Sequence, residues 1–472
     1  MARLRALDLV RPFALFTPEV EKPYGKIEQY ERIIYTVCGA ILFEVLSEIP
    51  LHGVRNSLSI PDAIGYFRSV VGSTNGSLVD IGPSVIFLSG FFTQILGGLK
   101  LINVNLEVRS DRILFQSAQK LLAIFLTVML SLLLVFSGNY GDVSAMSVSG
   151  ALFLVAQLVF GTVCLIGIDE VFSKGYGFGT GLLLFSTMRA CQQFAWELLS
   201  MVGVEAGRQT LETFGVLPRL FMGLNTHSIK YVLYDTAFRQ QLPNACTISV
   251  AICALLFYIW LSTLRIDLQI ASSRARSQQQ KFPIRLCYNG AQPLLFVASL
   301  LSVFYAVSSS AYSLLSPQYP LISLLGKWEV QGIRRVPVSG LAHYLSAPTT
   351  LDPIAMVTFT LFVTAVTGVF TRVWTECSGA SVSDLTRNFK EQQVVLVGRR
   401  EQSLQKELAK ILQPYVLLGG LIQGFTAAIF DILGGWGLVM QTAVLNMLTI
   451  FEIFTNENLS RDTIMEAMNK GM

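Results

Sequence analysis

Charged residues are scarce in this chain. Asp, Glu, Lys and Arg make up 14% of its 472 residues, hydrophobic residues make up 52%, and the mean hydropathy is +0.54. A soluble protein of this size could not bury so much apolar surface, so the composition indicates an integral membrane protein.

Long stretches contain no charge at all. About 20 apolar residues are enough to span the hydrocarbon core of a bilayer. The longest run, 286–326, exceeds one helix, and the Ser, Pro and Tyr residues of its second half favour one span followed by a loop. The charge-free runs are 81–99, 121–141, 143–168, 240–264, 286–326, 353–371, 411–430 and 432–451.

Two further candidate spans are interrupted by charge. Residues 33–49 contain two glutamates, and residues 178–199 contain Arg189 and Glu197. An arginine at the bilayer centre costs about 2.5–3.5 kcal/mol on insertion scales. Arg189 therefore either faces a wet cavity or a partner, or snorkels to the far interface. With these two segments, the sequence predicts ten spans.

Residues and motifs that carry common chemistry are also lacking. The three histidines lie far apart, and the seven cysteines include no Cys-x-x-Cys pair, which argues against a metal cluster or a disulfide framework. No GxSxG, HExxH or Walker motif occurs, so we expect no enzyme and no cofactor. Residues 1–32 carry six Lys/Arg without an apolar core, so no cleavable signal peptide is evident.

The distribution of basic residues predicts the orientation. With the N-terminus in the cytosol, the cytosolic segments hold 25 Lys/Arg and the opposite side holds nine. Both termini are then cytosolic. An even number of spans with both ends on one side suits two halves of five spans, the second inverted relative to the first. The boundary between the halves falls in 203–243.

Residues 61–71 form a short segment that is neither a span nor a simple loop. Apolar residues recur in it at helical spacing, over about three turns. It is either an interfacial helix or a re-entrant helix that enters a shielded interior.

Two long basic loops lie on the predicted cytosolic side. Residues 265–285 carry five Lys/Arg and resemble an extended hairpin, and residues 387–410 carry six around a turn at Gly398. Ordinary retention of positive charge in the cytosol explains part of this charge. The length of both loops also suits binding to a polyanion such as RNA, through salt-sensitive phosphate contacts.

Glycine occupies every second position from Gly175 to Gly181, between two predicted spans. The flanks are spanning helices rather than a strand, so this run does not fit a phosphate-binding loop. It indicates close approach of another part of the backbone or of a side chain.

The stretch from Asp169 to Gly181 resembles the signature of the protein-conducting channel subunit of the Sec translocon, called SecY in prokaryotes. Other segments extend the resemblance over nearly the whole chain, and several are closer to the eukaryotic form. They are 9–13, 15–20, 138–142, 390–393, 398–401 and 451–454.

The resemblance implies an all-α membrane protein, in which two pseudo-symmetric, inverted five-helix halves surround a central pore. The implied organisation is an amphipathic N-terminal helix in 1–32, a first half in 33–203 with a plug at about 61–72, a lumenal connection in 204–243, a second half in 244–454 with cytosolic loops 265–291 and 376–411, and a cytosolic tail in 455–472. It also favours the re-entrant interpretation of 61–71.

The resemblance further implies site residues. An apolar ring seals the waist of the pore, because apolar side chains at a constriction exclude water and ions. The implied ring is Pro83, Phe87, Leu182, Ser186, Leu295 and Thr442, in which the proline, serine and threonine depart from the usual aliphatic residues. The implied plug residues are Ile64, Phe67, Val70 and Val71. The implied lateral-gate residues are Leu88, Leu130 and Val303, all apolar where the family often has polar residues. The implied ribosome contacts are Arg274, Arg276 and Arg400, and Arg189 is expected to face the lumenal funnel.

The expected function is passive conduction of nascent polypeptides across the endoplasmic reticulum membrane, with lateral release of apolar segments. The implied partners are beta and gamma subunits, the ribosome, nascent chains with signal sequences, post-translational translocation partners and membrane lipids. The alternatives are a secondary transporter with inverted repeats and a non-conducting scaffold that binds ribosomes.

Overall fold

A computed structural model describes most of the chain. The described residues are 10–14, 17–25, 27–54, 62–102, 104, 108–141, 146–206, 210–226, 228–239, 242–272, 279–315, 319–331, 334–347, 352–397 and 404–470. Arg274, Arg276 and Arg400 lie outside these residues.

In the part of the chain that the structure describes, ten long helices dominate the fold, alongside six shorter α-helices. Seven of the long ones are long and apolar enough to cross a membrane; α2, α4 and α7 are shorter or less apolar and pack in the same bundle. The helices are α1 (Arg11–Ala14), α2 (Gln29–Glu48), α3 (Tyr66–Val71), α4 (Gly82–Gly98), α5 (Arg109–Phe136), α6 (Val148–Val171), α7 (Gly181–Leu199), α8 (Val216–Thr226), α9 (Ile229–Ala237), α10 (Ala245–Thr263), α11 (Gln292–Leu315), α12 (Leu341–Tyr344), α13 (Pro353–Cys377), α14 (Val382–Glu391), α15 (Leu404–Gly434) and α16 (Gly437–Lys470).

Among the described residues, strands occur only in the connections between long helices. β1 (Gly203–Ala206) pairs with β2 (Thr210–Thr213), and β5 (Lys327–Gln331) pairs with β6 (Arg334–Ser339), both antiparallel. The third sheet has the order β4-β3-β7, formed by β3 (Arg265–Ser272), β4 (Gln279–Arg285) and β7 (Val394–Leu396). The hairpin predicted for 265–285 is confirmed, and a strand from the second basic loop extends it.

Packing follows chain order within each half. Helices α4, α5 and α6 contact one another in the first half, and α10, α13, α15 and α16 form the corresponding network in the second. The halves meet where α4 and α5 contact α11, where α4 contacts α13, and where α7 contacts α16. A continuous core of buried apolar side chains runs through this junction, and helix α3 lies inside it.

Candidate pore, plug and lateral gate

The residues of the implied ring lie on four helices that contact one another: α4, α7, α11 and α16. Phe87, Ser186, Leu295 and Thr442 are each at most 4% exposed, so these four side chains are buried in the bundle. Pro83 and Leu183 are also buried, whereas Leu182 is half-buried. Five of the six predicted residues are therefore buried, on helices that meet at the junction between the halves.

A polar contact joins two of these helices, α16 and α7. Asn446 Nδ2 donates a hydrogen bond of 2.7 Å to Ser186 Oγ, and both side chains are buried. Thr442, one turn earlier on α16, satisfies its hydroxyl on its own helix by donating to the Leu438 carbonyl at 2.8 Å. Asn446 was not among the predicted site residues, although its spacing of four residues from Thr442 places both on one face of the helix.

The segment predicted to enter the protein does so. Helix α3 contacts α4, α7, α11 and α16, and Phe67, Val70 and Val71 are at most 3% exposed. The Phe67 ring meets the Tyr305 ring edge-on at 5.3 Å between centroids. The predicted helical segment was about three turns long, over 61–71. The observed helix is shorter and spans only Tyr66–Val71.

A glycine ends helix α3 close to the backbone of α7. Gly72 has φ +93°, and a Cβ there would lie 3.0 Å from the backbone carbonyl carbon of Phe185, next to Ser186. Both the left-handed conformation and the close approach favour glycine at this position.

Charged side chains anchor helix α3 to its surroundings. Arg68 Nε lies 2.7 Å from Asp62, and the Arg68 guanidinium also forms a salt bridge with Asp80. Tyr140 donates to the Asp80 carboxylate at 3.0 Å, and the Gly76 backbone N–H donates to it at 2.9 Å. Burial alone would lower the pKa of Arg68, but Asp62 and Asp80 shift it upward, so the guanidinium stays charged.

A cavity of about 20 Å³ adjoins this network, lined by Asp62, Arg68, Asp80 and Tyr140 among others. That volume is sufficient for about one water molecule. The network also reaches the second half, since Arg335 donates from its backbone N–H to the Asp62 carbonyl at 3.0 Å.

The implied gate residues lie on α4, α5 and α11, three helices that contact one another. Leu88 on α4 is 6% exposed and Leu130 on α5 is 8% exposed, whereas Val303 on α11 is half-buried. Ser313 on α11 donates to the Ser137 carbonyl at 3.2 Å.

Two glycines of the alternating run adopt the left-handed region. Gly175 has φ +102° and Gly179 has φ +77°, a conformation that is costly for residues with a Cβ. Gly175 lies in a π-helical turn, Phe172–Tyr176, that continues α6.

The other two glycines permit close contacts. A Cβ on Gly177 would lie 2.2 Å from a ring carbon of Phe172, and one on Gly181 would lie 2.8 Å from the Cα of Asp169. The glycine run therefore allows both left-handed backbone conformations and close packing against Phe172 and Asp169.

The two halves share a capping device. Asp169, near the end of α6, accepts a hydrogen bond of 3.1 Å from the backbone N–H of Leu182 in the first turn of α7. Asp431, near the end of α15, accepts one of 3.1 Å from the backbone N–H of Leu438 in the first turn of α16. Carboxylates stabilise helix N-termini. The fourth and fifth spans of each half are thus joined in the same way.

Arg189 lies on α7 and is linked to α2 through two further side chains. It donates to Gln192 at 2.5 Å, and Gln192 donates to Glu48 at 3.0 Å. Burial opposes its charge, whereas the carboxylates of Glu44 and Glu48 favour it. This environment gives Arg189 partners on a neighbouring helix.

The described ends of the two basic loops meet in the β4-β3-β7 sheet, which packs on α14 and α15. Arg285 forms a salt bridge with Glu452 on α16, which ties this sheet to the bundle. Among the residues that the structure describes, no group of three His, Cys, Asp or Glu side chains could hold a metal ion.

This fold is that of a polytopic helical membrane protein whose two halves enclose a short buried helix. The chain belongs to the SecY family, since the model of that family matches residues 77–452. It is 35% identical over 456 residues to the protein transport protein SEC61 subunit alpha of Yarrowia lipolytica, covering 94% of this chain and 96% of that protein.

Solved structures agree with this assignment. The idle yeast Ssh1 complex bound to the yeast 80S ribosome contains a chain that matches with a TM-score of 0.78 and 27% identity, over 97% of this chain and 96% of that one. A structure described as a protein conducting channel matches with a TM-score of 0.76 and 24% identity, over 95% and 97%. These channels have ten spans in two halves, which confirms the predicted fold class.

Proposed function

We propose that this chain is the pore-forming channel subunit of a Sec-type translocon. It conducts nascent polypeptides across the endoplasmic reticulum membrane and releases apolar segments into the bilayer through a lateral gate. The similarity to a named protein transport subunit over nearly the full chain supports this function.

The observation that carries the proposal is the position of α3. A short helix with fully buried Val70 and Val71 lies between both halves, against helices that carry the ring residues. An apolar plug over an apolar constriction excludes water and blocks ions in the idle channel. A translocating chain must displace this helix to pass.

The proposed ring consists of Pro83, Phe87, Leu182, Ser186, Leu295 and Thr442. The proposed plug residues are Ile64, Phe67, Val70 and Val71, and the proposed gate residues are Leu88, Leu130 and Val303. The apolar gate is expected to change the hydrophobicity that a signal sequence needs for insertion.

The proposed partners are a ribosome, nascent chains, and beta and gamma subunits. The related Ssh1 complex was solved bound to a ribosome. We assign docking to the two basic loops, with Arg274, Arg276 and Arg400 as contacts to ribosomal RNA. Both termini are proposed to be cytosolic, which places these loops on the ribosome side.

A stalled nascent chain provides the test. A photoreactive amino acid replaces Leu295 in the ring, and the matched control replaces Ile252, which is 48% exposed on the outer face of α10. We expect a crosslink from position 295 to the nascent chain and none from position 252. Ribosome binding without a crosslink at 295 would support the scaffold, and uptake of a small solute by proteoliposomes would support the transporter.

A further inference from the structure

Four aromatic rings meet across the junction between α4, α11 and α13. Phe296 on α11 stacks on Phe370 of α13 with 4.0 Å between centroids and 10° between planes, and Phe370 stacks on Trp374 at 5.5 Å and 21°. These three rings form a stack that belongs entirely to the second half.

One ring from the first half closes on this stack. Phe91 on α4 meets Phe296 at 5.5 Å, Phe370 at 5.3 Å and Trp374 at 5.3 Å, always edge to face at 81–84°. Edge-to-face pairs of this kind contribute beyond simple area burial. Phe91 is 3% exposed and Phe370 is 4% exposed, so the contact is dry.

Helices α4 and α13 also remain in close contact beyond the four rings. Gln94, about one turn past Phe91, donates to the Cys377 carbonyl at 3.0 Å, and a Cβ on Gly98 would lie 2.4 Å from Cys377 Sγ. Helices α4 and α13 are therefore in direct contact at this end of the gate, and they must separate before anything can leave the pore between them.

We propose that the stack of Phe296, Phe370 and Trp374 is a binding site for one apolar side chain of a hydrophobic helical segment, with preference for an aromatic one, and that Phe91 fills this site in the closed channel. The proposal rests on the function proposed above. Because all three rings move with the second half, the stack survives when the halves separate and only Phe91 is withdrawn.

Withdrawal of Phe91 leaves ring faces that need cover. Water covers them poorly, since apolar surface exposed to water is unfavourable. A leucine of an entering segment restores the burial alone, whereas a phenylalanine also restores the edge-to-face geometry that Phe91 had. The segment thus competes with Phe91 for one site, so the site sets both the threshold for opening and the preferred residue.

The test uses the complete channel complex and a set of marginally hydrophobic segments that differ at one position, which is Phe, Leu or Ala. The readout is the fraction of each segment that enters the bilayer. Phe91→Leu should raise insertion of the whole set, with an open-to-closed ratio about tenfold higher, which corresponds to about 1.4 kcal/mol. Phe370→Leu should abolish the preference for Phe over Leu.

One variant serves as a matched control. Phe125→Leu makes the same substitution on α5 at a side chain that is 59% exposed, and should change nothing. Thermal unfolding of each variant in detergent checks that it is folded.

An unchanged preference for Phe over Leu in folded Phe370→Leu would overturn the proposal, as would parent-like insertion by Phe91→Leu. If the parent channel crosslinks to no nascent chain, the proposed function itself fails. If it crosslinks and inserts segments without regard to Phe or Leu, only the aromatic site fails.

Discussion

Asn446 and Ser186 are hydrogen-bonded, although 260 residues separate them in the sequence. One lies on α16 and the other on α7, so this bond joins the last span of each half. Buried polar groups are costly only when they lack partners. The departure of Ser186 from an aliphatic ring is thus compensated by a polar residue from the opposite half.

Removal of one partner should therefore destabilise the channel. Ser186→Ala leaves the buried Asn446 amide without its acceptor, and we expect a loss of about 1–3 kcal/mol in the free energy of unfolding. The double variant Ser186→Ala with Asn446→Leu replaces both partners by apolar groups and should recover much of the loss. Thermal unfolding in detergent measures both, with Thr442→Val as the control for a hydroxyl bonded only to its own helix. Equal losses in the single and double variants would contradict this account.

The plug network makes a second prediction, about ion leak. Asp80→Asn weakens the salt bridge to Arg68 at a side chain that is fully buried, whereas Asp62→Asn weakens the bridge at a side chain that is 13% exposed. Uncompensated buried charge is strongly destabilising, so the closed plug should suffer more from Asp80→Asn. Conductance of reconstituted channels in planar bilayers should rise for both variants, and more for Asp80→Asn. The reverse order would argue against Asp80 as the main anchor of Arg68.

The alternating glycines allow a matched series. Gly181→Ala places a methyl group 2.8 Å from backbone and Gly177→Ala places one 2.2 Å from a buried ring, so both force a rearrangement. Overpacking of this kind costs about 1–3 kcal/mol. At Gly175 the space is open and only the positive φ opposes alanine, at about 1–2 kcal/mol. We expect Gly181→Ala and Gly177→Ala to reduce the yield of folded complex most. If Gly175→Ala reduced the yield more than Gly177→Ala and Gly181→Ala, the packing roles assigned to Gly177 and Gly181 would be contradicted.

Local patterns in the sequence predicted what local chemistry determines. Charge-free runs located eight of the ten long helices, and two runs interrupted by charge located the others. The periodic segment at 61–71 located helix α3, although its pattern did not show that the helix begins only at Tyr66. Alternating glycines indicated close approach, but not that Phe172 and Asp169 are the groups approached. Asn446, and the ring of Phe91 on its stack, depend on contacts between distant helices. Such contacts leave no local signal, and resemblance to the family could not supply them where this chain departs from it.

Charge reversal at Arg189 tests the last predicted site residue. The side chain joins α7 to α2 through Gln192 and Glu48. Arg189→Glu would gather three carboxylates with Glu44 and Glu48, so like charges would repel in this seam. We expect a lower unfolding temperature for Arg189→Glu than for Arg189→Leu, and a partial recovery when Glu48→Gln is added. Ion leak or signal orientation should also change in Arg189→Glu if the charge acts on the lumenal funnel. Parent-like stability and conductance in Arg189→Glu would instead indicate a side chain that reaches the interface and has no role in the seam.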